Sequence, residues 1–238
     1  MSFSLGVHAL TLFFRNSLLD LMLKEAPANL DRSLDSVVLP QGPFSLASTH
    51  RYVYFPLDAL LAISQIHRVH DAVDVAVVGH HACIGPAELW GVEMQAVVMV
   101  PGQAYRLDWS RMKQSPKLYN TWLWRLTSVI HGLIEQMAQT AFCATHHNTT
   151  QRLSSWLLIC LAQHGGTSLT LPLDVLPTSL RQQERALQTA LNHLQSIRAV
   201  GLSDAGVQVL DAERLARVAC RCHSMVTHDI AQRQPQPL

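Results

Sequence analysis

From Pro116 to about Cys143 the chain carries one turn-forming residue, Gly132, and sets Leu123, Leu126, Ile130, Leu133 and Met137 at spacings of three, four, three and four. Such alternation keeps apolar side chains on one stripe of an α-helix, and sustained over several turns it is the seam of a two-stranded coiled coil. The stretch therefore predicts a long helix that buries Leu123, Leu126, Ile130, Leu133 and Met137 against a second copy of itself. The competing reading is an amphipathic helix packed on its own domain. Trp122, Trp124, Arg125 and Val129 fall off the seam and are expected to face the preceding region.

That region changes character along its length. Residues 6–36 mix apolar and charged positions in a helical manner, and from about Val37 short apolar runs take over. Ser36–Leu39, Tyr52–Phe55, Ala59–Gln65, Val73–Val78, Ala96–Val100 and Gln103–Leu107 are separated by Pro40-Gln41-Gly42, Pro56, His70-Asp71, Gly79, Gly91 and Pro101-Gly102. Runs of this length, rich in Val, Ile, Tyr and Phe, predict an antiparallel, jelly-roll-like β-roll. Beyond the long helix the order is a helix (Gln151–Ala162), an extended piece (Ser168–Leu171), helices over Leu173–Leu180 and Glu184–Arg198, then a hairpin around Asp204-Ala205-Gly206. Helix, strand, helix, helix, hairpin is the order of a winged helix-turn-helix. The expected fold is α+β, divided into a roll with its N-terminal helix (1–115), a pairing helix (116–143), a winged unit (144–231) and a Gln- and Pro-rich disordered tail (232–238).

Composition narrows the class. Of 238 residues 48% are apolar and 15% charged, which excludes a disordered chain. No run approaches the roughly 20 apolar residues of a membrane span. The apolar start Met1–Phe14 lacks a basic leader and a small-residue cleavage site, so a cytoplasmic protein without a membrane partner is expected. Five cysteines, an odd number scattered along the chain, predict reduced thiols rather than a disulfide framework. A net charge of +1 makes no overall case for or against nucleic acid, so any basic footprint is local.

Several segments resemble the Crp/Fnr superfamily of transcriptional regulators: Asn16-Ser17-Leu18-Leu19-Asp20-Leu21, Tyr52-Val53-Tyr54-Phe55-Pro56, Val73 to Gly79 followed by Ile84-Gly85, Gln151 to Leu158, and Ala219-Cys220-Arg221-Cys222-His223. Their order and spacing carry the likeness over nearly the whole chain. The resemblance implies a homodimer joined along 116–143, a roll that senses a small-molecule effector, and a hinge near Cys143–Asn148. It also implies recognition helices that read a palindromic site in double-stranded DNA, with RNA polymerase as a further partner.

The positions matching the reading end of the recognition helix are Gln183, Glu184, Arg185, Gln188 and Thr189, side-chain types able to pair with guanine, adenine or cytosine edges. Arg152, Arg181 and Arg198 match phosphate contacts, which fix register. Three departures stand out. Arg181 replaces the usual turn glycine, Gln183-Glu184 replaces a basic pair, and Pro177 lies inside the first helix, where it would cost about 3 kcal/mol unless that helix is kinked or starts late. In the roll the expected effector cavity involves Gly85, Pro86, Glu88 and Gln95. The cyclic-nucleotide pattern of a Gly-Glu pair and a phosphate-binding Arg is replaced by Gly85-Pro86 and Met94-Gln95-Ala96, so cyclic AMP in the usual mode is not expected. No cysteine precedes Cys83, which removes an N-terminal iron–sulfur cluster.

No metal or other cofactor is expected either. His80-His81-x-Cys83 and His146-His147 lack zinc spacing, and Cys220-x-Cys222 with His223 reads as a packed terminal helix. An enzyme is not expected: a cupin-like one would need converging His and Glu ligands on neighbouring strands, and no such motif occurs. The remaining alternative is a dimer of the same fold whose helix-turn-helix has lost DNA recognition and acts through small molecules or proteins.

Overall fold

The strand-forming runs close into two antiparallel sheets. The computed structural model describes residues 16–25, 33–68, 71–85, 94–114 and 116–232. Helix α1 (Ser17–Glu25) is followed by β1 (Leu34–Leu39), β2 (Gly42–Phe44), β3 (Tyr52–Pro56), β4 (Leu60–Arg68), β5 (Asp71–Val78), β6 (Met94–Val100) and β7 (Gly102–Asp108). Strand orders are β1-β7-β3 in one sheet and β2-β6-β4-β5 in the other. Between them Tyr54, Leu61, Ile63, Val78, Ile84 and Val98 form a buried core. The alternation that predicted strands thus places alternate side chains inside the roll. Strand β1 begins before Val37 because Leu34 and Ser36 already pair with Leu107 and Tyr105 of β7. Of the helical expectation for residues 6–36, α1 is the helix among the described residues; residues 6–15 and 26–32 lie outside them.

A short helix, α2 (Trp109–Lys113), leads to α3 (Pro116–His146), the predicted long helix. Trp122 is 1% exposed, and its ring centroid lies 4.6 Å from that of Trp109 within a cluster that includes Leu19 and Met22 of α1 and Leu107 of β7. The buried Gln136 side chain accepts the backbone N–H of Val77 and fixes the rotation of α3 on the roll. This seating splits the expected seam. Leu126 and Leu133 are buried in the chain's own cores, Leu123 and Met137 are half-buried, and Ile130 and Ile134 are left exposed. Trp124, expected toward the roll, is 77% exposed. Trp122 and Val129 do pack inward.

Helix α3 ends two residues before α4 (Thr149–His164). The break is a capping box: the Asn148 side chain accepts the Gln151 N–H, and the Gln151 side chain accepts the Asn148 N–H. Then come β8 (Leu169–Leu171), a 3-10 turn at Leu173–Val175, α5 (Thr178–Arg181), α6 (Glu184–Ser196), the hairpin β9 (Val200–Ser203) and β10 (Gly206–Val209), α7 (Ala212–Val218) and α8 (Cys222–Gln232). Strand β10 pairs with both β8 and β9. Pro177 is the N-cap of α5, so the proline starts the helix rather than kinking it. Of the expected tail, Gln232 closes α8 and residues 233–238 lie outside the described residues.

The winged unit is docked on the roll. Its core, built around Leu153, Leu157, Leu191 and Leu194, is continuous with Leu60, Val77 and Met99 of the roll. Polar contacts pin the same surface: the Asp74 carboxylate on β5 accepts the Thr178 N–H at 2.7 Å, and the Gln163 carbonyl accepts the His80 N–H at 3.0 Å.

Candidate functional site

Two surfaces built by this fold have the chemistry of recognition. The first is α6. Its inner face buries Ala190, Leu191 and Leu194, while Glu184, Arg185, Gln188, Thr189 and Asn192 are exposed on the other. The expected reading residues therefore share one solvent-facing stripe, to which the structure adds Asn192. Gln188 donates to the Asn192 side chain at 2.9 Å, and the Thr189 hydroxyl donates back to the Arg185 carbonyl at 2.8 Å. Gln183 is the N-cap of α6 and accepts the Thr149 hydroxyl at 3.1 Å. The Arg185 guanidinium has no hydrogen-bonded or ionic partner among the described residues, which leaves its donors available.

The expected phosphate-contacting arginines divide. Arg152 donates to the Ser179 hydroxyl at 2.9 Å, tying α4 to α5. Arg181 folds back onto its own turn, donating to the Leu176 carbonyl at 2.8 Å and the Thr178 hydroxyl at 3.3 Å. In this way an arginine stabilises the segment between the two helices where a glycine would give backbone freedom. Arg198 follows the C-terminus of α6 at φ 56°, and the next residue's N–H, on Ala199, reaches back to the Leu194 carbonyl. It occupies the left-handed position that closes a helix end, where glycine is the easier residue.

The second surface is a cavity of about 210 Å³ between the roll and α3. Gln65, Val75, Cys83, Gly85 and Met94 line it from the roll. Leu126, Ile130, Leu133, Ile134 and Met137 are among those that line it from α3. Gly85 sits where expected, at φ +101° with the Tyr52 carbonyl 2.9 Å from where a side chain would begin, so only glycine makes this turn without strain. Gln95 is exposed on β6 and does not line the cavity; the gap of one strand position turns it outward. Pro86 and Glu88 lie outside the described residues. No charged side chain lines the cavity among the described residues, and burial pushes the Cys83 thiol up to about 12, leaving it neutral. A cyclic phosphate would meet no cation here. Of the apolar lining, Val75 fell within a run expected to be a strand and Leu126, Ile130, Leu133 and Met137 on the expected seam, whereas no sequence signal singled out Ile134.

Between these surfaces lies a titratable contact. The His80 and His81 ring centroids lie 3.7 Å apart with the planes tilted by 44°, the His81 Nδ1 meets the Ser17 hydroxyl at 2.9 Å, and the His80 Nδ1 meets the Gln163 carbonyl at 2.7 Å. Burial first, then the neighbouring His80, push His81 down to about 4, and burial also lowers His80. A histidine whose folded value lies below its unfolded value of about 6.5 binds more protons when unfolded, so stability rises with pH across that interval. Acidification from pH 7 toward 4.5 is expected to remove on the order of 2 kcal/mol from His81 after allowing for partial solvent screening. Urea unfolding at the two pH values checks this; a His81→Gln variant should flatten the slope, and an undiminished slope would remove His81 as its source.

The fold, a long helix seated on an antiparallel roll and followed by α4, α5, α6 and the β9–β10 hairpin, superposes on solved structures over most of the chain. A CRP-family transcriptional regulator from Thermus thermophilus, TTHB099, superposes with a TM-score of 0.60 at 13% identity, over 76% of this chain and 95% of that one. This chain has the Crp/Fnr fold. FixK2 from Bradyrhizobium japonicum gives 0.58 at 12% identity, covering 79% and 98% of the two chains. A second Thermus thermophilus regulator, TTHA1359 of the CRP/FNR family, gives 0.52 at 16% identity over 77% and 97%. Neither a family sequence model nor a curated protein sequence matches. Among the described residues no helix is long and apolar enough to cross a membrane.

Proposed function

We propose that this chain is a homodimeric, sequence-specific DNA-binding regulator of transcription that acts in the cytoplasm and senses a small, largely apolar effector in its roll. It is a regulator, not an enzyme. The observation that carries the reading is the exposed polar stripe of α6, held on a buried apolar face and flanked by a β-hairpin, in a chain of Crp/Fnr fold. Residues 1–115 sense, 116–143 pair, with the same helix continuing to His146, and 144–231 read a palindromic duplex site near RNA polymerase. Arg185 pairs with guanine, Gln188 with adenine, and Arg152 and Arg198 contact phosphates. Effector and partner subunit meet on shared side chains, because Ile130, Ile134 and Met137 line the cavity and border the exposed apolar stripe of α3.

The decisive experiment is salt-dependent binding to genomic fragments, which separates a preferred sequence from uniform phosphate attraction. On a selected site, Arg185→Ala is expected to weaken binding by about 1–3 kcal/mol, roughly 5- to 150-fold, with the dimer intact by sedimentation. Unchanged affinity removes Arg185 from the reading set. A salt slope without sequence preference, or no binding, favours the alternative in which the helix-turn-helix no longer reads DNA. The observation behind that alternative is the single-turn α5 followed by Glu184 at the start of α6, where a carboxylate opposes phosphate.

Dimerisation is tested on α3. Ile134 is 56% exposed in the single chain. Placing a charge on the stripe by Ile134→Glu is expected to weaken the dimer by about 2 kcal/mol or more, roughly 30-fold in Kd. Sedimentation equilibrium reads the shift; an unaltered dimer would place the interface elsewhere.

A further inference from the structure

We infer a tetrahedral zinc site formed by Cys143, His147, Cys220 and Cys222, which clasps the end of α3 to the start of α8. One ligand atom from each of these four residues lies within 4.8 Å of every other. The Cys143 and Cys220 sulfurs are 3.4 Å apart, and the Cys222 sulfur is 3.6 Å from the His147 Nδ1. Zinc bonds of about 2.3 Å to sulfur and about 2.0–2.1 Å to nitrogen set the edges of a tetrahedron at about 3.5–3.8 Å. The four groups already stand close to that shape.

Their positions follow from two elements that meet. Cys143 lies in the last turn of α3 and His147 one residue beyond it, where its N–H still bonds the Cys143 carbonyl at 3.2 Å, so the helical spacing holds and the two project from the same face. Cys220 and Cys222 flank Arg221 on the approach to α8, and all three thiols are free and buried in a small cluster of their own. The support around them also suits thiolate ligation. Ser155 on α4 is buried and its hydroxyl lies 2.9 Å from the Cys220 sulfur, while the His223 ring is engaged by the Cys220 carbonyl at 2.7 Å and so is not a fifth ligand.

The donor set selects the ion. Three thiolates and one imidazole, all supplied by the protein, form a closed site of the structural zinc type with no position left for substrate. A span of 4.8 Å holds one ion, whereas an iron–sulfur cluster spreads its cysteines around several irons. Such an ion joins residues on both sides of the α3–α4 break at Asn148. It also borders a pocket lined by Cys143, Arg152, Ser179 and Leu180, so it fixes the angle at which α4 and α5 leave the long helix.

The full-length chain purified under reducing conditions is expected to carry one zinc per chain through gel filtration. After removal of zinc by a chelator, titration with Co²⁺ alone is expected to produce thiolate charge-transfer and tetrahedral d–d bands that saturate at one equivalent. Cys222→Ser should lose the zinc, Cys83→Ala, outside the cluster, should keep it, and Ser155→Ala should weaken affinity about 10- to 100-fold. Limited proteolysis around Asn148 should accelerate when zinc is removed and slow again when it is restored. Absence of zinc together with a featureless cobalt titration overturns the site, and that titration on the wild-type chain decides even if a variant misfolds. A Cys143–Cys220 disulfide in metal-free protein overturns it equally, and stoichiometric iron overturns the choice of ion. None of these readouts depends on DNA binding.

Discussion

Gly79→Ala is expected to lower the thermal unfolding midpoint by about 6–12 °C, the counterpart of about 3 kcal/mol in a chain of this size. Gly79 follows the last residue of β5 where α4 lies against the roll. A methyl group there would start 2.0 Å from the Gln163 carbonyl oxygen, and the obstacle is backbone held in the last turn of a helix. Neither side can rotate away, so α4 must lift. Lifting it breaks both contacts of His80 to that carbonyl, each worth about 1 kcal/mol, and opens the apolar contact of Val77 and Met99 with the winged unit. The expected picture is two folded parts with a loosened interface, seen as a larger radius of gyration by small-angle scattering. Gly201→Ala, which meets nothing closer than a leucine side chain at 3.5 Å, serves as the control. Wild-type stability and dimensions for Gly79→Ala would mean that roll and winged unit do not dock through this face.

Trp122→Ala is expected to cost about 3–5 kcal/mol in denaturant unfolding, because a fully buried indole leaves a cavity that its neighbours cannot fill. The ring sits where α1, α2, α3 and the roll meet, against Trp109. Its loss therefore unseats α3 at one end while Gln136 still holds it near Val77. Trp122→Phe, which keeps most of the apolar volume, should recover about half or more of the loss. If the alanine variant unfolds like the wild type, Trp122 is not what sets the helix on the roll. The two substitutions act on different joints of the molecule, and their effects are expected to add because the sites share no partner.

Much of the architecture was legible because its signals are local. The runs from Tyr52 and Val73 became β3 and β5 since alternation of side chains is a property of the strand itself. Pro177 showed that the helix expected over Leu173–Leu180 could not be regular, because a proline nitrogen has no hydrogen to donate; that it starts late rather than kinks came from the structure, where α5 begins immediately after it. The exposed polar stripe on α6 was legible for the same reason: Arg185, Gln188 and Thr189 lie on one face of any helix drawn through them.

The seam on α3 shows where local signals end. Spacings of three and four determined that residues 116–146 form a helix, and periodicity fixes the angles between side chains but not the rotation of the whole helix about its axis. That rotation was decided by Trp122 and Gln136, which draw Leu126 and Leu133 into the chain's own cores and leave Ile130 and Ile134 outward. Adjacent helical residues differ by about 100°, so a modest rotation exchanges one apolar stripe for another. The Cys143–Cys220 contact is the extreme case: 77 residues separate two sulfurs that end 3.4 Å apart. By itself the sequence determined which elements form, because hydrogen bonding and side-chain period act between near neighbours. Which faces meet, what lines the cavity and which thiols converge were decided by the tertiary structure, because they depend on how rigid elements pack once their local form is settled.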